Sequence, residues 1–396
     1  MKVNYMEKGA SRYVIGETQP FDQKNEMFKR PLWDPKMLPL GKKFYKDKVM
    51  PKDKPGYRLQ DQAAVNASWY LDNLCHRYTE KGAGTNLYAW DWNGRFAYPR
   101  VPSGLKISDN DPASVTRDIK KIAALFGASM TGICKLDPRW VYTASYYITS
   151  KGGIEADNTV PEEFKYAIAI GVEMDYDGMM YSPSHPASVA TGLGYSKMAF
   201  VAGLLAQYIR GLGFKAIPCG NNTVCNIPIA IDAGLGEMAR NGLLVTPQLG
   251  PRLRLASVLT NLSLVPDKPI EFGVKDFCMI CGKCARKCPS KAIAHGDPSP
   301  ERHNISNREG VNTWHINAEK CLAFWADNGT DCSNCIRVCP FNKPPGKLHD
   351  MVRWGINNMR RFDRLFLWGD DLMGYGKRKN AKYFWGVSSQ KKIEKP

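Results

Sequence analysis

The residues whose chemistry is clearest are cysteines, and eight of the twelve lie between positions 278 and 339. The first group reads Cys278-Met-Ile-Cys281-Gly-Lys-Cys284-Ala-Arg-Lys-Cys288-Pro289. This is the C-x2-C-x2-C-x3-C-P run that bacterial ferredoxins use for [4Fe–4S] clusters, in which the fourth cysteine ligates the other of two clusters. The sequence therefore predicts two [4Fe–4S] clusters and the transfer of single electrons.

A second group reads Cys332-Ser-Asn-Cys335-Ile-Arg-Val-Cys339-Pro340. Because Gly329 stands where a first cysteine is expected, we predict that Cys321 supplies the missing thiolate from across a longer loop. Zinc is the alternative metal, but two C-x2-C-x3-C-P runs favour iron–sulfur clusters. The predicted ligands are Cys278, Cys281, Cys284 and Cys339 for cluster one, and Cys288, Cys321, Cys332 and Cys335 for cluster two.

The composition is that of a soluble globular protein, with 43% hydrophobic and 23% charged residues in a chain of 396. No stretch approaches the roughly 20 consecutive apolar residues that span a bilayer. The formal net charge of +17 suits nucleic-acid binding. However, the basic residues are dispersed, and a solvated basic face or attraction to an anionic membrane explains them at least as well. We therefore expect no nucleic-acid partner.

Four parts of the chain differ in pattern. Residues 1–60 are rich in Lys and Pro with little periodicity, which indicates an extended N-terminal arm. Residues 61–265 alternate between helical and strand patterns, as in an α/β or α+β domain. Residues 266–345 hold the ferredoxin-like cysteine groups, and the aromatic-rich tail 346–396 is expected to pack back on the body.

Local patterns in the larger domain predict individual elements. Asp111 is a capping residue and Pro112 a first-turn residue for a helix over 109–130. Further predicted elements are strands over 131–136, 166–174 and 215–218 and helices over 195–212 and 229–240. The segment 252–264 mixes apolar and basic residues and is assigned to neither class.

The stretch from Ser182 to Lys197 is a polar, glycine-containing sequence that predicts a loop opening the helix at 195–212. Free backbone amides in such a loop could hold an anionic or amide-bearing cofactor. The candidate cofactor-binding residues are Ser182, His185, Thr191, Gly192, Gly194 and Lys197. An ordinary helix-entry loop is the alternative, and His185 is either an axial metal ligand or a surface residue.

More than 260 residues precede the cysteine groups, which implies a second redox centre or a substrate pocket and hence an enzyme. The arrangement resembles the respiratory reductive dehalogenases along nearly the whole chain. The resemblance rests on PFDQKNEMFKR at 20–30, TGLGYSKMAF at 191–200, GEMARNGLLVTPQLGPRLRLASVLTNLSL at 236–264 and the two cysteine groups.

The resemblance implies an α+β fold, in which a nitroreductase-like domain binding a base-off corrinoid (cobalamin) is fused to a bacterial-type ferredoxin module with two [4Fe–4S] clusters. It also implies a twin-arginine leader, removed after export, and a small membrane anchor protein that holds the enzyme at the outer face of the cytoplasmic membrane. The N-terminus here has neither the apolar core of a signal peptide nor twin arginines, in keeping with a mature form. An upstream donor of the respiratory chain is the implied source of electrons, and homodimerisation is left open.

The site residues follow from the same resemblance. Tyr195 matches the family's proton-donating tyrosine, Asn221 the polar residue beside it, and Arg254 the accompanying basic residue. Asn222 and Arg252 are the neighbouring alternatives. Trp325 falls where the family has an aromatic wall, and a second pocket aromatic is Phe28, with Phe21 and Trp33 as alternatives.

The implied reaction is reductive removal of chloride from a small chlorinated aliphatic of the chloromethane, chloroethane or chloroethene class. It takes two electrons, which the clusters deliver singly to cob(I)alamin, and a proton when the product gains hydrogen. A tyrosine is a weak acid with a pKa of about 10. A neighbouring guanidinium stabilises the phenolate, so we expect Arg254 to lower the pKa of Tyr195.

Two other functions remain possible from the sequence. A corrinoid and two-cluster reductase of the epoxyqueuosine type, acting on tRNA, would suit the positive charge and would show salt-dependent RNA binding. A non-catalytic electron-transfer subunit would have neither a bound corrinoid nor a large apolar cavity.

Overall fold

A computed structural model describes residues 3–75, 86–90, 104–149 and 152–386. The strands are β1 Asn4–Tyr5, β2 Met130–Lys135, β3 Ala144–Thr149, β4 Gly152–Asp157, β5 Tyr166–Glu173, β6 Ala216–Cys219, β7 Glu237–Met238, β8 Leu244–Val245, β9 Leu253–Thr260 and β10 Ile270–Glu271. The α-helices are α1 Leu38–Gly41, α2 Leu59–Ser68, α3 Tyr70–Cys75, α4 Pro112–Leu125, α5 Tyr176–Met179, α6 His185–Gly211, α7 Asn226–Asp232, α8 Val274–Cys281, α9 Lys283–Arg286, α10 Ala318–Asn328, α11 Asn334–Arg337, α12 Lys347–Asn358 and α13 Asp363–Leu372.

A four-stranded antiparallel sheet in the order β2-β5-β9-β6 forms the centre of the larger domain. The two middle strands pair along their whole lengths, from Tyr166 opposite Thr260 to Glu173 opposite Leu253. Helices α4 and α6 pack on one face and α7 on the other, so each face of the sheet is buried in its own hydrophobic core. This explains why β5, with the sequence YAIAIGVE, is apolar on both faces.

The mixed segment 252–264, which the pattern assigned to neither class, contains the central strand β9. Arg252 and Arg254 interrupt its apolar run, which conceals the strand in the sequence. The predicted strands at 131–136, 166–174 and 215–218 correspond to β2, β5 and β6.

Helix α6 crosses the sheet and is ten residues longer at its start than predicted. It begins at His185, so the loop predicted over 182–197 is wrong from that residue onward. Pro186 fits the first turn, and the small residues that suggested a loop pack the helix closely against its neighbours. Among the described residues α6 alone is long and apolar enough to cross a membrane, and 67% of its apolar window is buried inside the protein.

Two other helices are shorter than predicted. In α4 the Asp111 carboxylate accepts a hydrogen bond from the Ser114 amide at 3.1 Å, as the capping pattern predicts, but the helix ends at Leu125. The helix predicted over 229–240 is α7, which ends at Asp232. Gly234 then takes a positive φ of 73°, a conformation that glycine adopts without strain and that commonly follows a helix end.

The arm, the cysteine groups and the tail are joined by direct contacts. Strand β1 of the arm pairs with β10, just before the cysteines. The first cysteines lie in and after α8, and α13 of the tail packs against that helix. Lys283 in α9 forms a buried ion pair with Asp370 in α13. The limits of the four parts remain a prediction.

Candidate active site

A cavity of about 530 Å³ lies where the arm, the sheet domain and the cysteine region meet. Phe28 of the arm lines it, as do Tyr195 of α6 and Arg254 of β9. Ile336, which separates two of the cluster cysteines, reaches the same cavity. A cavity of this size, mainly apolar with a few convergent polar groups, is typical of a ligand or cofactor site.

The Tyr195 hydroxyl is the focus of the polar groups in this cavity. Arg254 Nη1 and Asn221 Nδ2 each lie 3.4 Å from it. The guanidinium of Arg254 also stands over the tyrosine ring, with Cζ 4.5 Å from the centroid. The three residues come from α6, β9 and the loop after β6, so the sheet and its covering helix together position them.

The tyrosine ring is held by packing as well as by polar contacts. Trp69 stacks on it with centroids 4.6 Å apart. Gly192 and Gly194 make this close packing possible, because a Cβ at Gly192 would lie 2.4 Å from Trp69 and one at Gly194 would lie 3.0 Å from Arg254.

A hydrogen-bonded chain fixes the asparagine. Asn226 donates to the Asn221 side-chain oxygen at 3.4 Å and to the Gly220 carbonyl at 2.5 Å. Ser257 of β9 in turn donates to Asn226 at 2.7 Å. The Asn221 amide is therefore oriented by the same strand that carries the arginine.

The pKa of Tyr195 is raised, not lowered as the sequence suggested. Burial is the larger effect and disfavours the phenolate, while the Arg254 charge acts in the opposite direction but does not overcome it. The hydroxyl consequently stays protonated throughout the physiological range. The tyrosine is thus a protonated hydroxyl beside a cation, and a neighbouring guanidinium stabilises the phenolate form of a tyrosine.

The neighbouring alternatives face elsewhere. Arg252 is fully buried, and it pairs with Glu173 and donates to Asn342 at 3.0 Å, which ties β9 to the segment after the last cysteine. Asn222 is buried too, and its backbone carbonyl accepts from Gln23 at 3.1 Å. The structure brings Asn221 and Arg254, rather than these two residues, to the tyrosine.

The four cysteines predicted for cluster one surround a small cavity of their own. Cys278, Cys281, Cys284 and Cys339 all line it. Burial first, and then the proximity of Cys281, raises the pKa of Cys278 to about 12. Isolated thiols in such a setting would stay protonated, whereas iron holds cysteine ligands as thiolates.

The cysteines predicted for cluster two are neighbours of one another. Burial and then Cys288 raise the pKa of Cys321 to about 11. Burial likewise raises the pKa of Cys335, followed by the effects of Cys332, Cys321 and Cys288. Among the described residues no three His, Cys, Asp or Glu side chains converge tightly enough to hold a single metal ion. A cubane differs, because its four irons each take one thiolate and the sulfurs stand further apart.

Comparisons with known proteins agree with this geometry. Residues 277–342 match the family described as a 4Fe-4S double cluster binding domain. The tetrachloroethene reductive dehalogenases of Sulfurospirillum multivorans and Desulfitobacterium hafniense are 37% and 38% identical over 298 and 322 residues, or 69% and 71% of this chain. The chain belongs to the reductive dehalogenase family. It spans 60% and 58% of the length of these two relatives.

The fold of the chain is also that of this family. A solved structure described as a reductive dehalogenase, with a mechanism suggested for B12-dependent dehalogenation, superimposes with a TM-score of 0.74 at 24% identity. The match covers 97% of this chain and 50% of that one. The epoxyqueuosine reductase of Bacillus subtilis is 30% identical over only 130 residues, or 29% of the chain.

The predicted amide-lined cofactor loop is not present in this reductive dehalogenase family member. Thr191, Gly192, Gly194 and Lys197 lie inside α6, where backbone amides are used by the helix itself. Lys197 is exposed, and Thr191 Oγ1 lies 3.4 Å from Ser333 Oγ beside the cluster-two cysteines. Any contact of these residues with a cofactor must therefore come through side chains or through the close packing that the glycines allow.

The other two candidate residues, Ser182 and His185, make local hydrogen bonds. Ser182 is buried and donates to the Met179 carbonyl at 2.7 Å. His185 is buried, and its Nδ1 lies 2.8 Å from the Gly56 carbonyl, which makes Nδ1 the protonated nitrogen. Burial lowers the pKa of His185, so the ring is neutral. The surface position that the sequence offered as one alternative for His185 is therefore wrong, and the residue is not among those that line the cavity. Its role as an axial metal ligand stays a prediction.

The two predicted pocket aromatics occupy different layers. Phe28 lines the cavity, whereas Trp325 in α10 packs behind it with ring centroids 5.7 Å apart. Trp325 is not among the cavity-lining residues, so it supports the wall rather than forming it. Of the alternatives, Phe21 has its ring centroid 6.4 Å from that of Tyr142, which lines the cavity. Trp33 donates a hydrogen bond from Nε1 to the Lys24 carbonyl at 2.7 Å. Neither Phe21 nor Trp33 lines the cavity itself.

Sequence reasoning missed Arg308, which lines the far side of the cavity. It donates to Cys225 Sγ at 3.3 Å, and its guanidinium stands 5.2 Å from the Trp140 ring. An isolated arginine in a loop carries no sequence pattern that could have indicated this position.

Two properties of the cavity suit a corrinoid. Its walls are largely apolar, with a few convergent polar groups. Arg254 Nε is buried and has no hydrogen-bond partner among the described residues, which leaves a donor for a polar group of a bound molecule. The residues present therefore fit the cofactor that the resemblance implies.

Proposed function

We propose that this chain is the catalytic part of a respiratory reductive dehalogenase that removes chloride from a small chlorinated aliphatic. The observation that carries the proposal is the Tyr195 hydroxyl, held within 3.4 Å of Arg254 and Asn221 in a cavity that Ile336 of the cysteine region also lines. Proton donor and electron source thereby face the same space. A base-off corrinoid bound there would supply the low-potential cobalt that reduces the carbon–halogen bond.

The protein's own residues supply the proton. Tyr195 gives up its hydroxyl proton to the product carbon, and Arg254 stabilises the resulting phenolate because a guanidinium stays charged. Asn221 orients the hydroxyl by donating a hydrogen bond to its oxygen. Trp69 covers one face of the Tyr195 ring, and the apolar cavity walls reduce the contact with water that would weaken the interaction between phenolate and guanidinium.

Electrons would reach the cavity through cluster two. Cys335 of that set is adjacent in sequence to Ile336, and both pack in the hydrophobic cluster that contains Met174 and Ala187 of the sheet domain. This contact supports the order cluster one, cluster two, corrinoid.

The substrate and the cellular setting are proposed from the relatives and the resemblance. Relatives named tetrachloroethene reductive dehalogenases favour a chloroethene within the chloromethane, chloroethane and chloroethene class. The same proposal includes export through a twin-arginine leader and attachment to the outer face of the cytoplasmic membrane by a small anchor protein. It also includes the supply of electrons from a respiratory donor. Fractionation of producing cells tests the location, and a cytoplasmic pool would contradict it.

The decisive experiment replaces Tyr195 with phenylalanine in protein that contains corrinoid and clusters. We expect Tyr195→Phe to lower chloride release from tetrachloroethene by about 100-fold or more, because general acid catalysis typically contributes that much. Cobalt and iron contents should remain those of the wild type, since the hydroxyl ligates neither metal.

The matched control is Tyr208→Phe, on the same helix but packed against the hydrophobic core. It should retain wild-type turnover. Full activity of Tyr195→Phe would show that another group supplies the proton, and wild-type protein that binds no corrinoid would contradict the proposal as a whole.

The epoxyqueuosine-type alternative has less support. Its similarity covers less than a third of the chain, and the tyrosine–arginine–asparagine group is explained by reductive dehalogenation. Salt-dependent binding of tRNA to the purified protein would revive it.

A further inference from the structure

A basic cleft of about 540 Å³ lies on the surface of the cysteine region, apart from the active-site cavity. Six cationic side chains and one carboxylate line it, together with Val338, Gly374, Tyr375 and Gly376; the charged residues are Lys283, Arg286, Lys287, Arg337, Asp371, Lys377 and Arg378. We define this set as the cluster cleft.

Most of the cations in the cluster cleft have no carboxylate partner among the described residues. Lys283 pairs with Asp370 and Asp371. The other five cations have no carboxylate within 4 Å among the described residues. Arg337 Nε is buried and has no hydrogen-bond partner among the residues that the structure describes. Uncompensated cations gathered on one concave surface attract an anionic partner.

The walls of the cleft are the segments that connect the cluster ligands. Lys283 lies between Cys281 and Cys284 in the sequence, and Arg286 and Lys287 lie between Cys284 and Cys288. Arg337 and Val338 lie between the last two cysteines of the second group. Short helices α9 and α11 pack together here. A redox partner seated in the cleft is therefore separated from the clusters by little more than the ligand-bearing backbone.

The rim of the cleft is accessible to a protein surface. Arg286 and Lys287 are exposed on one side, and Lys377 and Arg378 are exposed on the other. We propose that the cluster cleft is the site where electrons enter the protein, by docking an electron-carrier protein whose surface around its own redox centre is acidic. The reaction is the transfer of one electron: the reduced carrier is oxidised by one electron, an oxidised [4Fe–4S] cluster gains it, and no covalent bond changes.

An acidic carrier accounts for the arrangement better than RNA does. The cations converge on one cleft over the cysteine segments, whereas RNA-binding surfaces spread cations along a track and add exposed aromatic stacking platforms. Tyr375 lines the cleft, but it contacts Lys343 and His349 and is only partly exposed. This docking site rests on the proposed function, because the carrier would be the electron source of the dehalogenase, but reduction of the clusters can be followed without dehalogenation.

The test reverses two rim charges and follows cluster reduction. Reduced flavodoxin, a small acidic flavoprotein, is mixed rapidly with protein containing oxidised clusters, and the second-order rate constant is read from loss of iron–sulfur absorbance. In Lys287→Glu/Lys377→Glu we expect this constant to fall about tenfold at low salt, since electrostatic steering contributes factors of this order. Reduction by the cationic radical of methyl viologen should not fall.

The matched control is Arg117→Glu/Lys121→Glu, which changes the net charge equally on exposed positions of α4. It should lose less than about twofold, because its charges lie on the sheet domain. Raising the ionic strength from about 0.01 M to about 1 M shrinks the Debye length from about 30 Å to about 3 Å, which should slow the wild type and leave the cleft variant nearly unchanged.

Three outcomes would overturn the inference. The cleft variant could accept electrons from flavodoxin as fast as the wild type, or both double variants could lose the same amount. Binding of tRNA that only the cleft variant loses would assign the surface to a nucleic acid. Because no chlorinated substrate is present, failure of the dehalogenase proposal alone would leave the expected result intact.

Discussion

The two predicted cluster sites differ in how they are built. Three of the four cluster-one cysteines lie within the seven residues from Cys278 to Cys284, and all four line a cavity walled by Arg240 and the rings of Phe277 and Phe341. The cluster-two cysteines are spread over residues 288–335, and Cys321 comes from the separate helix α10.

The cluster-one ligands are brought together by their spacing in the sequence, whereas the cluster-two ligands are brought together by tertiary contacts. The first site is specified mainly by ligand spacing and is enclosed by a buried arginine and aromatic side chains. The second depends on the packing of α10 against the N-terminal arm, where Leu322 lies with Met27 and Met37 in one hydrophobic cluster. It adjoins the active-site cavity through Ile336. The cluster-two site adjoins the cavity, which suits the last step of electron delivery in the proposed reaction. The enclosed cluster-one site suits a position between the electron carrier and cluster two.

The largest expected effect comes from removing the distant ligand. Cys321→Ser leaves cluster two with three thiolates, so we expect turnover to be lost and the EPR signal of reduced cluster two to disappear while that of cluster one remains. EPR of the reduced protein together with iron analysis measures this. The control is Cys134→Ser, a buried thiol of β2 whose Sγ lies 3.7 Å from the Ile229 carbonyl. Two unaltered cluster signals in the Cys321 variant would mean that another group is the fourth ligand.

A smaller effect, confined to cluster one, is expected at Arg240. This fully buried side chain donates to the Cys278 carbonyl at 3.0 and 3.1 Å and to the carbonyls of Ala294, His295 and Gly296 at 2.7–2.9 Å. In Arg240→Met the carbonyls of Cys278, Ala294 and His295 lose this donor, at about 1–3 kcal/mol for each group left unsatisfied, whereas the Gly296 carbonyl keeps a hydrogen bond from Trp314 Nε1 at 2.9 Å.

We therefore expect Arg240→Met to lose the cluster-one signal at a lower urea concentration than the cluster-two signal. Urea titration followed by EPR gives both midpoints. The exposed Arg361→Met, in the turn before α13, should change neither. Simultaneous loss of both signals in the Arg240 variant would show that the two sites do not have separate supports.

The smallest effect concerns the tail helix that covers α8. Burial raises the pKa of the Asp363 carboxyl, at the start of α13, to about 6. The fold thus favours its protonated form, and the stability from that preference is present below a pH of about 4 and is lost as the pH rises through 6. Asp363→Asn should raise the melting temperature by about 1–2 °C at pH 8 and by roughly half as much at pH 5, because pH 5 lies between the pKa values of the unfolded and folded states. Melting curves at the two pH values decide this, with exposed Asp118→Asn as the control; equal shifts at both would exclude a titrating carboxylate.

The sequence predicted those features whose cause is local. Fixed cysteine spacing indicates the cluster ligands, Asp111 followed by Pro112 marks the start of α4, and the apolar run of β5 indicates a buried strand. The resemblance supplied Tyr195, Asn221 and Arg254, which the structure brings together.

What the sequence could not give depends on tertiary contacts. The glycines and serines before Tyr195 resemble a loop until Trp69 and Arg254 are seen packed against them, and only then is the early start of α6 explained. The direction of the Tyr195 pKa shift is a second case. It is the balance of two opposing effects, and the burial that decides it is a property of the folded chain. Arg308 is a third, since only folding brings its loop to the cavity.

The pair of glycines on α6 makes the chemistry sensitive to very small changes in volume. One methyl group at Gly192 would push aside the indole on which the tyrosine rests, and one at Gly194 would press on Cγ of the Arg254 side chain, 3.0 Å away. Neither change would remove a polar atom or a charge. In the proposed reaction the positions of Tyr195 and Arg254 thus depend on the absence of side chains at Gly192 and Gly194, so residues that take no part in the chemistry can tune its rate.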